Sequence, residues 1–232
     1  MGRFVSIRGS GSWAHFPTRL LFLSLLLPCA ALLGAVFLQP WMPAVDVLRA
    51  PPAPTPGNLF AGAVGRLGGL LCVATASVCL FTALLAHIAG AGRSRSLFFV
   101  AAALFSIGLG VDASLRFSAG AAAAGKAQGI SALVLAAGLM AYAAASWRFV
   151  LAGRATLLMT GGMALAASEA LPVAVSDPTP LWLFAEDALR FVGITFWTGF
   201  HIVAAAQSGE AFATGRVTTV TLSPERIIRR AA

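Results

Sequence analysis

The 232-residue sequence predicts an all-α fold: a bundle of six transmembrane helices with both termini in the cytoplasm and no separate soluble domain. Three observations carry this. Hydrophobic residues make up 59% of the chain and charged residues only 10%, where a soluble domain has about a quarter charged. The mean hydropathy is +0.87. The apolar residues fall into six runs, each long enough to cross a hydrocarbon core about 30 Å thick as a helix. None alternates as a membrane β-strand would.

In chain order, the first run covers 19–39. Arg3, Arg8 and Arg19 ahead of Leu20–Leu27 resemble the start of a signal peptide, with small residues at Cys29, Ala30 and Ala31. The run continues to Leu38 and reaches Trp41, an interface anchor, so it reads as a retained helix. Six prolines between Pro40 and Asn58 predict extended backbone there. The remaining runs cover 60–88, 97–118, 129–150, 155–175 and 180–206, joined by short connections. They complete a membrane domain over 1–206. A polar cytoplasmic tail, 207–232, follows, in which Ser223-Pro224-Glu225 opens a short helix or caps a frayed basic end.

The basic residues orient the bundle. With the N-terminus inside, 11 of the 16 Lys and Arg fall on the cytoplasmic side. Only Arg49, Arg66, Arg116, Lys126 and Arg190 lie toward the outer face. Trp41 and Trp182 then mark the outer interface, and Trp13 and Trp147 the inner one. The net charge of +8 does not indicate nucleic acid, because the basic residues sit at the ends of apolar runs rather than on one polar face. Cys29, Cys72 and Cys79 lie inside apolar runs as small hydrophobes, with neither disulfide nor zinc spacing.

Small residues predict where helices touch, since close backbone approach replaces hydrophobic drive in lipid. Gly65 and Gly69, Ala137, Ala141 and Ala145, and Gly161, Gly162 and Ala166 are the candidate faces.

Charge within the spans is the most informative feature. Arg66, Asp112, Arg116, Glu169, Glu186, Asp187 and Arg190 all map to the outer third of the membrane. Asp112 and Arg116, and Glu186 and Arg190, are four apart and share helical faces. Along the last helix Glu186, Arg190, Gly193 and Trp197 form one stripe, which predicts that they face inward while Phe184 and Phe191 face lipid. Four acids against three arginines leave a surplus carboxylate, and Glu169 is the acid expected to lack an arginine. The cluster reads as an ion, small-ligand or partner site, as structural ion pairing, or as separate side chains reaching for headgroups.

His87 and His201 lie late in two inward-running helices, where a facing pair could ligate haem b. No metal site, Gly-rich phosphate loop or nucleophile elbow is present in the sequence.

Glu186-Asp187-Ala188-Leu189-Arg190, with Gly193-Ile194 and Trp197, is similar to the last helix of small uncharacterised bacterial polytopic inner-membrane proteins, which carry an acidic pair there. The resemblance covers about a quarter of the chain and includes an acid at the outer end of a middle helix, here Asp112. The His-Glu pair that often follows in those proteins is missing. The resemblance implies a bacterial inner-membrane location and supplies no activity to carry over. The expected function is that of a non-enzymatic bundle in contact with membrane lipids. The alternatives are a membrane enzyme on a lipid or isoprenoid substrate, a helix-mediated oligomer or subunit of a membrane complex, and a haem b or quinone redox protein.

Overall fold

Proline and glycine mark most of the helix ends. The computed structural model describes residues 17–49, 60–118, 137–144, 155–174 and 179–214, with 113–118, 173 and 174 as backbone only. Helix α1, Thr18–Leu38, starts after Pro17 and stops before Pro40. A five-residue helix, α2, occupies Ala44–Leu48 behind Pro43. Helix α3, Ala63–Ile88, begins at Gly62, whose φ of 65° is a left-handed conformation that suits glycine. It closes over Gly90, with the Ala91 N–H returning 2.9 Å to the Ala86 carbonyl, a common way for a helix to end. Helix α4 is Arg93–Ser118, α5 is 137–144, α6 is Ala155–Ala174 and α7 is Pro180–Ala213. Pro180 stands where a missing N–H costs nothing.

The regular structure among the described residues is all helical, with no strand. Four helices, α1, α3, α4 and α7, are long and apolar enough to cross a membrane. Helix α6 adds 20 residues, and α5 lies within the expected fourth run. The rest of that run, the proline stretch beyond Arg49, Trp13, Trp147, Lys126 and residues 215–232 lie outside the described residues.

Three boundaries differ from expectation. The proline-rich connection contains α2, since Pro43 can precede a helix as well as break one. Helix α4 starts at Arg93, four residues early, directly after the left-handed Gly92. Helix α7 runs seven residues past its expected end, into the polar tail, and its 34 residues span about 51 Å. No proline interrupts Gln207–Ala213, and the Phe212 ring lies under the Arg95 guanidinium at 5.9 Å, joining the extension to the start of α4.

Helix α7 is the hub. Helices α3 and α4 form an antiparallel hairpin, α6 packs along one side of α7 and α3 along another. Helix α1 lies along α7 from Phe22, against Phe196, to Phe37, against Phe184. Surrounded in this way, α7 buries Phe191 as well as Trp197, so the expectation that Phe191 faces lipid is wrong. Phe184 is half-buried.

Helices α6 and α7 approach each other closely through backbone at two glycines. A Cβ on Gly193 would lie 2.6 Å from the Leu165 side chain and 3.0 Å from the Gly161 carbonyl. One on Gly161 would lie 3.1 Å from both the Gly193 carbonyl and the Trp197 nitrogen. Gly161 was expected at a contact; its neighbours were not all correctly placed. Ala166, Ala137 and Ala141 are exposed, and α3 meets α7 through Gly68 and Ile194, whereas Gly69 faces open space. One residue turns a helix by about 100°, so a small-residue pattern read one position off selects the wrong face.

Candidate functional site

Six charged side chains gather where α7 begins. Arg49, just past α2, sends Nη2 to Glu186 Oε2 at 2.7 Å and Nε to Asp187 Oδ2 at 2.5 Å. A further bond from Nη2 to Asp187 Oδ1, at 3.1 Å, makes the grip on Asp187 two-pronged. Burial works against a charged Arg49, but hydrogen bonding and attraction from Asp187, then Glu186, outweigh it and raise its pKa above the ordinary arginine value.

One turn further along α7, Arg190 donates from Nη2 to Glu169 Oε1 on α6. Its Nη1 lies 3.6 Å from Asp112 Oδ2 on α4. The Arg190 side chain is 12% exposed, Asp112 11% and Glu169 17%. Arginine suits this position because its planar fork can serve two carboxylates at once. The two ionic groups thereby tie α2, α4 and α6 to α7.

Most of the expected cluster is therefore brought together: Asp112, Glu169, Glu186, Asp187 and Arg190 share one pole. The pairing differs. Glu169 takes Arg190 and Glu186 takes Arg49, so Glu169 is not an acid lacking an arginine. Helical spacing shows which neighbours can meet along one helix, whereas facing helices here supply the partners. Arg66 is exposed and joins no ion pair among the described residues. The Arg116 side chain lies outside the described residues. Arg49 was missed, although the surplus of acids on the outer face pointed to one more cation. Among the described residues no group of three or more His, Cys, Asp or Glu side chains could hold a metal ion.

Trp197, expected at the site, belongs to a second, neutral network deeper along α7. Its Nε1 donates to Ser106 on α4 at 2.9 Å, and Ser106 in turn donates to the Ala102 carbonyl. The Trp197 carbonyl bonds His201 Nδ1 at 2.8 Å. A carbonyl only accepts, so Nδ1 carries the proton, and Nε2 of the neutral ring accepts from the Tyr142 hydroxyl of α5 at 2.8 Å. Phe98, Phe105 and Phe200 close around these rings. Beside them Thr75 of α3 donates to the Leu71 carbonyl, which leaves its oxygen to take the Thr198 hydroxyl at 2.8 Å. Tyr142, the only tyrosine, was not singled out by sequence reasoning, although a lone phenol inside an apolar run requires a partner.

The two histidines considered for haem b have different surroundings. His87 is exposed, and both ring nitrogens of His201 are engaged, so an iron would have to displace Tyr142 or the Trp197 carbonyl.

No curated protein and no solved structure matches the chain. Residues 20–204 match the family model DUF8692, a domain of unknown function, and that range contains both the ionic pole and the aromatic network. As the match covers more than three quarters of the sequence, the chain belongs to the DUF8692 family.

Proposed function

We propose that this protein is a non-enzymatic, multi-pass protein of the bacterial inner membrane, with six spans, both termini in the cytoplasm and an outer ionic pole that binds a polar small molecule or a charged segment of a partner. The observation that carries this reading is the concentration of six charged side chains, from four elements, at one pole of an otherwise apolar bundle. Charge is costly in a membrane, and helix anchoring alone would distribute it over both ends. Helix anchoring is already provided elsewhere by neutral contacts, namely the Gly161–Gly193 crossing and the Trp197 network. The 11-to-5 distribution of basic residues supports this orientation, and with it an outer position for the pole. An oligomer or a subunit of a larger membrane complex is compatible with the same pole, which would then receive the partner.

Two experiments test the proposal. Reporter fusions after Gln207 and between Pro51 and Pro56 should report opposite sides of the membrane; a periplasmic C-terminus would overturn the orientation. Native mass spectrometry of the protein released from nanodiscs should find a copurifying polar species on the wild type that Glu169→Gln lacks. An identical spectrum for both would remove the binding role of the pole.

A further inference from the structure

We infer that Arg66 and the exposed face of α3 beyond it form a binding site for one phospholipid, with the guanidinium on its phosphate; the site is separate from the ionic pole. Two residues turn a helix by about 200°, so Arg66 lies across α3 from both Val64 and Gly68. Those two are buried, Val64 in an apolar cluster with Phe191 and Gly68 against Phe191 and Ile194. Arg66 is therefore turned away from α7, and it is exposed. The same contacts fix its depth. Helices α3 and α7 run parallel, since Gly68 meets Phe191 and Ile194 while Thr75, further along, meets Thr198. Arg66 accordingly stands at the level of Arg190, the arginine that Asp112 and Glu169 hold inside the bundle.

At that one level the two arginines face different media. Arg190 is shared by two carboxylates, whereas Arg66 joins no ion pair among the described residues. The anion within reach on the lipid side is a headgroup phosphate, which the planar fork of arginine suits. Helix length puts Arg66 where such phosphates are. His87, also exposed and near the same face, follows 21 residues later, about 32 Å along the helix, which matches a hydrocarbon core about 30 Å thick. Residues 67–86 between them contain no Asp, Glu, Lys, Arg or His. Arg66 and His87 thus bracket the apolar span, one at each boundary. Below Arg66 the exposed side chains of Leu70, Val73, Leu80 and Leu84 continue its face turn by turn, an apolar track for an acyl chain. Gly69, beside the first of them, would place a Cβ in open space, so a lipid can approach the helix backbone there.

The test uses the full chain in micelles of an uncharged sugar detergent, titrated with phosphatidylglycerol and read by native mass spectrometry. The wild type should retain one lipid at low concentration, and Arg66→Gln should bind it about tenfold more weakly, the loss expected for one charge-assisted hydrogen bond. Arg66→Lys keeps a cation and should recover most of that affinity. A glycolipid with the same acyl chains and no phosphate should bind the wild type about tenfold more weakly than phosphatidylglycerol does. Equal affinity of phosphatidylglycerol for the wild type and Arg66→Gln would overturn the site. So would a wild type that does not prefer the phospholipid to the glycolipid, a comparison that needs no variant and holds even if Arg66→Gln fails to fold. Glu169→Gln should bind phosphatidylglycerol as the wild type does; loss of the lipid from that variant would place it at the ionic pole and overturn the site on α3.

Discussion

The two ends of α7 solve the same problem with different chemistry. Near its start, charged side chains link it to α2, α4 and α6; further along, neutral hydrogen bonds and stacked rings link it to α3, α4 and α5. A neutral polar pair costs little to bury and holds its geometry once satisfied. An ion pair at comparable burial loses much of its attraction to desolvation, and apolar replacements often do as well. The bundle therefore had a cheaper way to join helices and uses it in the aromatic half. At the other pole the helices are joined by charge instead.

The comparison can be broken most severely at Arg190. Arg190→Ala leaves Glu169 and Asp112 without their shared cation, and the bundle should lose roughly 3 to 5 kcal/mol in reversible unfolding from mixed micelles. A smaller loss, about 1 to 3 kcal/mol, is expected for Gly193→Val, because its new side chain meets Leu165 and the Gly161 carbonyl; shifts in melting temperature would measure it. Gly69→Ala is the matched control and should be nearly silent, since its Cβ would meet nothing within 4 Å. Within the aromatic half, Tyr142→Phe removes the hydroxyl from His201 Nε2 and should cost about 1 to 3 kcal/mol. Thr75→Val should cost less than Tyr142→Phe, about 0.6 kcal/mol, the usual size of an interhelical hydrogen bond in a membrane protein. If Thr75→Val and Arg190→Ala proved equally costly, the distinction between the two halves would fail.

Much of the ionic pole was legible beforehand, because helix direction and residue number together fix depth. Asp112 late in one span, Glu169 late in another and Glu186 early in a third must come to one level once the spans are antiparallel. What remained hidden has particular causes. Arg49 sits behind a helix of five residues, shorter than any window in which periodicity can be read, within a proline-rich stretch that reads as extended. The pairing of Arg190 with Glu169 depends on which faces of α6 and α7 meet, and that follows from Gly161 and Gly193 together rather than from either helix alone. The inward turn of Phe191 was missed because one stripe was assigned to α7, whereas a helix surrounded by others buries several faces.

The division of labour is tested most directly by measuring copurifying species and melting temperature on two variants, one from each half. Glu169→Gln keeps an oxygen where Arg190 can donate, so it should melt close to the wild type yet lose the species bound at the pole. Tyr142→Phe should show the reverse, with the bound species retained and the melting temperature lowered. A Glu169→Gln protein that melts well below the wild type while keeping its bound species would contradict the account, because the ionic pole would then be holding the bundle together rather than binding.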